Sequence, residues 1–440
     1  MTLPELRECS GCGLFQIVPA MAPGLRCACG RCGTILRITR YDPMNRHLAL
    51  ILAAMVLFTV VWLGMLMKVS TAGIVRTTTL DSGPVELVNR GLWPLAIAVA
   101  FTTAGAPMAK FFTTLYVLIG LKMERMPPNL RGMFVLSRRL GTWCMLEVLL
   151  LGVFVAYVKL GDLVTIELGP AVYALGLLSI VWVWAEVALD PHAVWEEIER
   201  RGQTHAPLPA APPLTFRPGA SGCESCGLVC VPAETEGHCP RCGVTVHARK
   251  PNSLSRTWAL VLAAVVLYIP ANIYPVLTVV QLGSGQPSTI MGGVEELIDS
   301  KMYPLALLVF FASIAVPLFK LLGLAGMLTA SQFGRPEAGA SVLLHERTVL
   351  YHTVAWIGRW SMVDIFMESL LGALVQFGRA VTIEPGAGAL AFCGVVFITI
   401  FAAEVFDPRL MWDAANRNPH RPVLSKQRPP ADLASASSAS

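Results

Sequence analysis

Eight of the twelve cysteines form four Cys-x-x-Cys pairs, each followed by glycine, in a pattern typical of tetrahedral metal sites. The pairs are Cys9/Cys12, Cys29/Cys32, Cys223/Cys226 and Cys239/Cys242. Sixteen residues separate the first two pairs and twelve separate the last two, so each half of the chain predicts one Cys₄ site. Because four thiolates leave no open position for a substrate, we expect both sites to stabilise the fold.

We expect zinc at both sites, and iron held by the same thiolates is the main alternative. Structural disulfides would require an oxidising compartment. A redox Cys-x-x-Cys centre normally uses one pair on a thioredoxin-like scaffold, which the sequence does not indicate. Four nearby residues could replace a ligand, although the pairs explain the pattern without them: Cys27, Cys230, His238 and His247.

Two lysines form a second set of chemically capable residues, because each lies inside an apolar segment. Lys320 follows Pro317 in "FFASIAVPLFKLLGLAGML", and Lys110 follows Pro107 at the same spacing. A charge at the bilayer centre costs about 2.5–3.5 kcal/mol, so it normally has a partner or a function. Snorkelling explains Lys320 poorly, because its side chain leans toward the helix N-terminus and away from the nearer predicted membrane surface.

The predicted seventh span offers ionisable partners for Lys320, namely Arg359, Asp364 and Glu368. Asp364 and Glu368 are four residues apart and share one helical face. Helix geometry allows a contact between Lys320 and Asp364. In the first half of the chain, Lys110 and Glu147 occupy the matching positions.

The second half of the chain is the more polar and is predicted to be the working half. Asn272 lies between Pro270 and Pro275, and prolines inside a helix leave backbone groups open to other partners. The first span of the chain, "FTVVWLGML", lacks all three. The alternative for the buried charges is a structural one, in which an ion pair only fixes the register of the helices.

The composition requires a membrane scaffold for these residues. The chain of 440 residues is 54% hydrophobic and 14% charged, whereas soluble domains average about 25% charged residues. Its net charge of +5 is diffuse, so we expect no nucleic-acid partner. Eight segments are long enough to cross a hydrocarbon core of about 30 Å: 47–68, 92–121, 140–159, 169–189, 257–281, 302–328, 349–377 and 386–406.

Lysine and arginine concentrate in alternate loops, which predicts that both termini and the central linker are cytoplasmic. The first residues contain no apolar core of a signal peptide, so we expect membrane insertion to depend on the internal spans. The predicted fold class is an all-α polytopic membrane protein with two tandem modules of four transmembrane helices, each preceded by a small metal domain.

Internal repeats support this duplication. "CSGCGL" recurs as "CESCGL", "LGTWCMLEV" as "IGRWSMVDI", and "VTIE" occurs twice. Since each module has an even number of spans, both copies have the same orientation. The predicted boundaries are a metal domain at 1–46, a membrane module at 47–200, a proline-rich linker at 201–222, a metal domain at 223–250, a membrane module at 251–412 and a disordered tail at 413–440.

This combination resembles the paraquat-inducible protein A family over residues 9–412. The resemblance rests on two copies of "CxxCG…CxRCG" with four spans each, and on "TIMGGVEELIDSKMYPLALLVFFASIAVPLFK" from Thr289 to Lys320. It implies zinc-ribbon-like cytoplasmic domains and a polar network in the second module, with Lys320, Asp364 and Thr399 at the matching positions.

The resemblance also implies a function in a bacterial inner membrane. Members of this family are partners of periplasmic MCE-domain proteins, which form tunnels for lipid, so the implied function is to pass phospholipid to or from such a tunnel. The alternative is an ion- or proton-coupled transporter of small solutes with regulatory metal domains. We do not expect an enzyme, because the sequence contains neither HExxH nor GxSxG; it also lacks a Walker A motif.

Overall fold

The structure is a computed structural model that describes residues 4–71, 74–161, 165–206, 216–281, 284–333, 340–375 and 381–416. It is mostly helical, and nearly the same series of elements occurs twice. Each series begins with a small cysteine-bearing domain and ends with a short helix at an Asp-Pro pair.

The first half contains two short hairpins that carry the cysteines, followed by helices and a further set of three strands. Its elements are β1 (Glu5–Glu8), β2 (Phe15–Val18), β3 (Arg26–Ala28), β4 (Ile35–Ile38), α1 (Pro43–Leu63), β5 (Met67–Thr71), β6 (Ile74–Thr78), α2 (Ser82–Asn89), α3 (Trp93–Ala100), α4 (Ala106–Gly120), α5 (Leu130–Leu140), α6 (Leu146–Gly161), β7 (Thr165–Leu168), α7 (Pro170–Ala188) and α8 (Pro191–Arg200).

The second half repeats the helices and the three-strand set in the same order. Its elements are β8 (Ser221–Gly222), β9 (Val229–Cys230), α9 (Ser253–Ile273), β10 (Leu277–Gln281), β11 (Ser284–Ser288), α10 (Ile290–Asp299), α11 (Tyr303–Phe310), α12 (Val316–Phe333), α13 (Ala340–Ile357), α14 (Val363–Leu374), β12 (Val381–Pro385), α15 (Ala387–Val405) and α16 (Arg409–Asn416). Helix α16 therefore continues four residues beyond the predicted module boundary at 412.

A π-helical turn joins α3 to α4 and another joins α11 to α12, at Phe101–Gly105 and Phe311–Ala315. Pro107 and Pro317 follow the π turn inside one continuous helical segment each, where proline removes a backbone donor from the helix. Such π turns often occur at functional sites. The repeated Pro-x-x-Lys pattern thus sets one lysine shortly after a π turn in each half.

Each half also contains a three-stranded antiparallel sheet, with strand orders β6-β5-β7 and β11-β10-β12. These sheets were not predicted: β10 lies within the predicted span at 257–281, the start of β5 overlaps the predicted span at 47–68, and the other strands lie between predicted spans. Strands β7 and β12 each join their sheet only after a long intervening chain. Lys68 pairs with Glu167 across β5 and β7, and their side chains form an ion pair of 2.8 Å. The repeated motif "VTIE" supplies the third strand in both halves.

Seven helical segments in the described part of the chain are long and apolar enough to cross a membrane. They are Pro43–Leu63, Trp93–Gly120, Leu130–Lys159, Pro170–Ala188, Ser253–Ile273, Tyr303–Gln332 and Ala387–Val405. The predicted span at 349–377 is not among them, so the eight-span layout is not confirmed. Its residues up to 374 belong to α13, a 3₁₀ turn and α14, whereas 376 and 377 lie outside the described residues.

Helix α14 differs from the seven apolar segments because the protein itself surrounds it. All of its residues except Ala373 are buried, including Asp364 and Glu368. From the first half, Gly83 packs against Ser369 and Gly152 packs against Phe366. The polar helix of the second half is therefore sequestered against both halves.

Candidate metal centres and buried charged sites

Four cysteine sulfurs converge in each of the two cysteine-bearing domains. In the first domain, the Sγ atoms of Cys9 and Cys32 are 3.4 Å apart and those of Cys12 and Cys29 are 3.6 Å apart. Within each group of four, all ligand atoms lie within 4.8 Å of one another and all four residues are buried. The structure thus brings together every predicted ligand of the first site.

The second domain repeats this arrangement. The sulfurs of Cys223 and Cys242 are 3.5 Å apart, and those of Cys226 and Cys239 are 3.4 Å apart. Among the described residues, each of the two candidate metal groups consists of the four cysteines of its own domain alone. Cys27, Cys230, His238 and His247 do not belong to either group.

Each cysteine pair forms a tight backbone turn that aims both thiols at the same point. The amide of Gly13 donates to the Cys9 carbonyl at 2.8 Å, and that of Gly243 donates to the Cys239 carbonyl at 2.8 Å. Both glycines have positive φ, 72° and 78°, in the left-handed region that glycine adopts without strain. The same turn occurs at the other two pairs, which explains why glycine follows every pair.

The residues present fit a tetrahedral metal ion. A zinc–sulfur bond of about 2.3 Å in a regular tetrahedron sets the sulfurs about 3.8 Å apart, close to the separations in both groups. In the first domain, the side-chain amide of Gln16 donates to the Cys29 sulfur at 2.8 Å, as a residue that orients a thiolate ligand would. Two Cys₄ clusters that could hold a metal are therefore present, and zinc is compatible with both.

The two metal domains dock in a crossed arrangement. The first domain shares a buried core with helices of the second half, where Arg31 lies 4.2 Å from the centre of the Trp412 ring. The second domain shares a buried core with the first half, which includes Phe134 and Trp195. Each metal domain thus shares its apolar core with the other half of the chain, and the first domain also bonds α8 of its own half, from Arg7 to His192 and from Arg37 to Glu196.

Buried charges join the domains where they meet. The Glu8 carboxylate accepts hydrogen bonds from the Gly222 amide at 2.7 Å, from Arg249 at 3.0 Å and from Arg409 at 3.2 Å. Arg409 also bonds Asp407. Burial alone would raise the pKa of Asp407, but the hydrogen bonds and charge of Arg409 lower it below its usual value, so this carboxylate stays ionised.

Lys320 is fully buried at the start of α12, and its ammonium lies 3.5 Å from the Gly358 carbonyl. Among the described residues, no carboxylate lies within ion-pair distance of it, so the structure does not bring Lys320 and Asp364 into contact. The side chain of Arg359 lies outside the described part of the structure.

Lys110, the counterpart in the first half, has a different environment. Its ammonium lies 2.6 Å from Glu186 on α7 and 4.9 Å from the centre of the Trp182 ring. Glu147 lies in the first turn of α6. The first-half lysine is therefore neutralised within the protein by Glu186, whereas the described residues offer the ammonium of Lys320 only the Gly358 carbonyl.

Asp364 and Glu368 line a small cavity together with Lys159 on α6 of the first half. The remaining predicted polar residues bond within their own helices. Thr399 donates to the Val396 carbonyl at 2.9 Å, and Asn272 donates to the Tyr268 carbonyl at 2.8 Å. The predicted polar network is thus divided between Lys320, which faces the 3₁₀ turn, and the acidic pair, which faces the cavity.

Sequence reasoning missed three functional candidates for identifiable reasons. Lys159 lies at the end of an apolar run and was taken only as a span boundary. Glu186 lies in the segment "AEV", which occurs in both halves of the chain, but a repeated segment does not indicate a partner for Lys110. Glu8 looks like an ordinary surface residue, and its contact with Arg409 spans 401 positions of sequence.

Comparisons with known proteins identify similar sequences. The sequence profile described as paraquat-inducible protein A matches residues 44–199 and 254–416. Intermembrane transport protein PqiA of Escherichia coli strain K12 is 33% identical over 415 residues, which cover 94% of this chain and 96% of that protein. No solved structure matches.

Two further relatives match this chain over almost the whole length of both proteins. Lipophilic envelope-spanning tunnel protein A of Escherichia coli strain K12 is 28% identical over 410 residues, which cover 93% of this chain and 92% of that protein. A probable intermembrane transport protein of Haemophilus influenzae is 23% identical over 421 residues, or 94% and 97% of the two chains. Together with the seven apolar helices, these matches indicate a multi-pass membrane protein with a role in intermembrane transport.

Proposed function

The chain belongs to the paraquat-inducible protein A family, and from this premise we propose that it is an inner-membrane subunit of an intermembrane lipid transport system. In this role it passes phospholipid between the inner membrane and a periplasmic tunnel formed by an MCE-domain partner. The observation that carries the proposal is 33% identity, over 94% of the chain, to a protein named for intermembrane transport. A second relative is named as lipophilic and envelope-spanning, which favours lipid as the cargo.

Lys320 supports a headgroup-binding role in the second module. An ammonium group has three donors, and the described residues offer this one a single carbonyl at 3.5 Å. The phosphate of a lipid that enters between the helices would supply the missing negative charge. Lys110 already has Glu186 at 2.6 Å and does not need such a ligand. We therefore assign lipid handling to the second module, with Thr399 and Asn272 as further polar groups on adjacent helices.

The remaining parts of the proposal concern orientation and support. Both termini and the metal domains face the cytoplasm, as the loop charges favour, and the three-stranded sheets face the periplasm, where a tunnel partner would dock. We also propose that the chain has the predicted domain boundaries and eight membrane spans, arranged as two copies of one module. Zinc in two ribbon-like domains stabilises the cytoplasmic end and takes no part in chemistry.

The test is affinity purification of the tagged full-length chain from a Gram-negative host in mild detergent, followed by mass spectrometry of copurifying protein and lipid. We expect an MCE-domain protein and phospholipid. Lys320→Met should lose the phospholipid, whereas Lys110→Met with Glu186→Gln, which removes the counterpart pair, should retain it.

Two outcomes would overturn the proposal. One is purification without any MCE-domain protein or phospholipid under conditions that keep the chain folded. The other is uptake of a soluble solute by proteoliposomes that contain this chain alone, which would favour the small-solute transporter.

A further inference from the structure

The cavity beside α14 lies where the two halves of the protein meet. Lys159 reaches it from α6 of the first half, and Asp364 and Glu368 reach it from α14 of the second half. Ser313, in the π-helical turn before α12, also lines it. The site therefore exists only when both halves are present and correctly packed.

The volume of the cavity limits what can bind there. It is about 40 Å³, which has room for roughly three water molecules and is too small for a phospholipid headgroup. Its lining from β10, β11 and α10 is mixed polar and apolar, with Ser288 and Thr289 at its edge. Water, protons and small monatomic ions are thus the species of suitable size.

The charges that line the cavity do not balance. Asp364 and Glu368 are 5% and 4% exposed, and among the described residues Oδ2 of the first and Oε2 of the second have no hydrogen-bond partner. The ammonium of Lys159 interacts electrostatically with both carboxylates. One ammonium can neutralise only one of them, and two ionised carboxylates in a buried site are strongly disfavoured.

Among the side chains that the structure describes, the groups on neighbouring elements do not remove this imbalance. Glu296 on α10 is exposed and also acts on Lys159, which adds negative charge. Cys393 on α15 is buried and uncharged as a thiol, and Ser313 donates to the Val309 carbonyl at 2.7 Å. None of these described groups neutralises the excess negative charge at the cavity, and protonation of one carboxylate would do so.

We propose that Lys159, Asp364 and Glu368 form a proton-binding site shared by the two membrane modules. A proton from cavity water converts one carboxylate to a carboxylic acid, Lys159 neutralises the other, and release returns the proton to water. This site goes beyond the lipid-transport proposal and does not require lipid to be the cargo.

The test uses N,N′-dicyclohexylcarbodiimide, which reacts with protonated carboxylic acids in apolar surroundings. The reagent adds to the acid without a leaving group, and the product is a stable N-acylurea. The full-length chain in detergent is treated over a range of pH, and the modified residue is identified by peptide mass spectrometry. We expect an adduct on Asp364 or Glu368 whose yield falls as pH rises. Glu186, held by Lys110, serves as the reference carboxylate and should remain unmodified.

Substitutions at Lys159 test the shared character of the site. In Lys159→Gln the pH of half-maximal labelling should rise by about one unit or more, because no ammonium group then stabilises the ionised forms of Asp364 and Glu368. Lys159→Arg should keep the original value. No adduct at either carboxylate at any pH, or an unchanged labelling profile in Lys159→Gln, would overturn the proposal.

A measurement on the unsubstituted protein keeps the proposal testable if Lys159→Gln does not fold. Infrared spectroscopy should show the carbonyl stretch of a protonated carboxylic acid, shifted by deuterium exchange and lost in Glu368→Gln or Asp364→Asn. Absence of that band at mildly acidic pH would also contradict the site. Because no lipid or partner protein is needed, these results are independent of the lipid-transport test.

Discussion

The guanidinium of Arg31, in the first metal domain, lies 4.2 Å from the centre of the Trp412 ring in the last described helix. Trp412 in turn donates a hydrogen bond to Thr348 on α13 at 3.0 Å. An element at the start of the chain thus rests on two helices of the second module, while the second metal domain rests on the first module. This crossed docking ties the two modules together from both ends of the sequence.

Loss of one metal site should therefore loosen the opposite module. We expect Cys29→Ser to raise hydrogen exchange in α13 and α16, and the matched variant Cys239→Ser to raise it in α5. The reason is that a Cys₄ domain without its metal loses its fold, and with it the surface that covers those helices. Hydrogen–deuterium exchange with mass spectrometry of the full chain measures this. If each variant loosened only the module that follows it in sequence, crossed docking would be wrong.

The metal sites and the buried lysines could be predicted from the sequence because both depend on local spacing. Cysteine pairs two residues apart followed by glycine specify one turn, and Pro107 and Lys110 specify one segment of helix. The crossed docking could not be predicted, since nothing in "CSGCGL" indicates which of two similar modules it will cover. That choice depends on complementary surfaces such as Arg31 against Trp412, which form only in the folded chain.

Long-range pairing also explains the missed sheets and the missed partner of the acidic pair. Five helices separate strand β7 from its partner β5 in the sequence, and short alternating segments next to apolar runs carry little strand signal. Asp364 was expected to meet Lys320 of its own module. The structure instead sets it beside Lys159 of the other module, because α14 packs between the two halves.

Arg409 should be the most sensitive charged residue where the two metal domains meet. Its side chain is 4% exposed and faces Glu8, Asp407 and Glu224. We expect Arg409→Met to destabilise the protein by about 3–5 kcal/mol, because it leaves the buried carboxylate of Asp407 without its ion-pair partner. The control is Arg217→Met, which breaks the exposed pair with Glu234 and should cost at most about 1 kcal/mol. Thermal unfolding in detergent compares the two, and equal losses would contradict the buried role of Arg409.

His192 should make the contact between the first metal domain and α8 sensitive to acid. Arg7 donates to Nε2 of His192 at 2.6 Å, so the ring must be neutral and accept. Burial, together with the charges of Arg7 and Arg37, lowers the pKa of His192 well below its ordinary value of 6.5. Below about pH 6.5 the unfolded chain binds a proton that the folded chain rejects, so stability decreases as pH falls through that range.

The measurement is the unfolding midpoint between about pH 7 and about pH 5, where each unit of pH removes up to about 1.4 kcal/mol of stability. His192→Gln keeps an acceptor and does not titrate, so its midpoint should fall less steeply with acidification. Identical pH profiles for the two proteins would show that His192 does not contribute. The prediction concerns stability alone and leaves the lipid-binding residues unchanged.

Two glycines should tolerate no side chain, because each lies where a helix begins against the backbone of another segment. A Cβ at Gly169 would overlap the Met65 carbonyl, and one at Gly386 would overlap the Pro275 carbonyl. Their amides donate at 2.8 Å and 2.7 Å to Leu66 and Val276, which prevents the strands β5 and β10 from moving away. We expect Gly169→Ala and Gly386→Ala each to destabilise the protein by about 2 kcal/mol or more, since backbone atoms cannot move aside as a flexible side chain can.

The control is Gly176→Ala on α7, where a Cβ would meet nothing within 4 Å and alanine favours the helix. The measurement is the unfolding midpoint of each of the three variants. If Gly176→Ala lowered the midpoint as much as the other two, added volume in general, rather than these two close backbone approaches, would destabilise the protein.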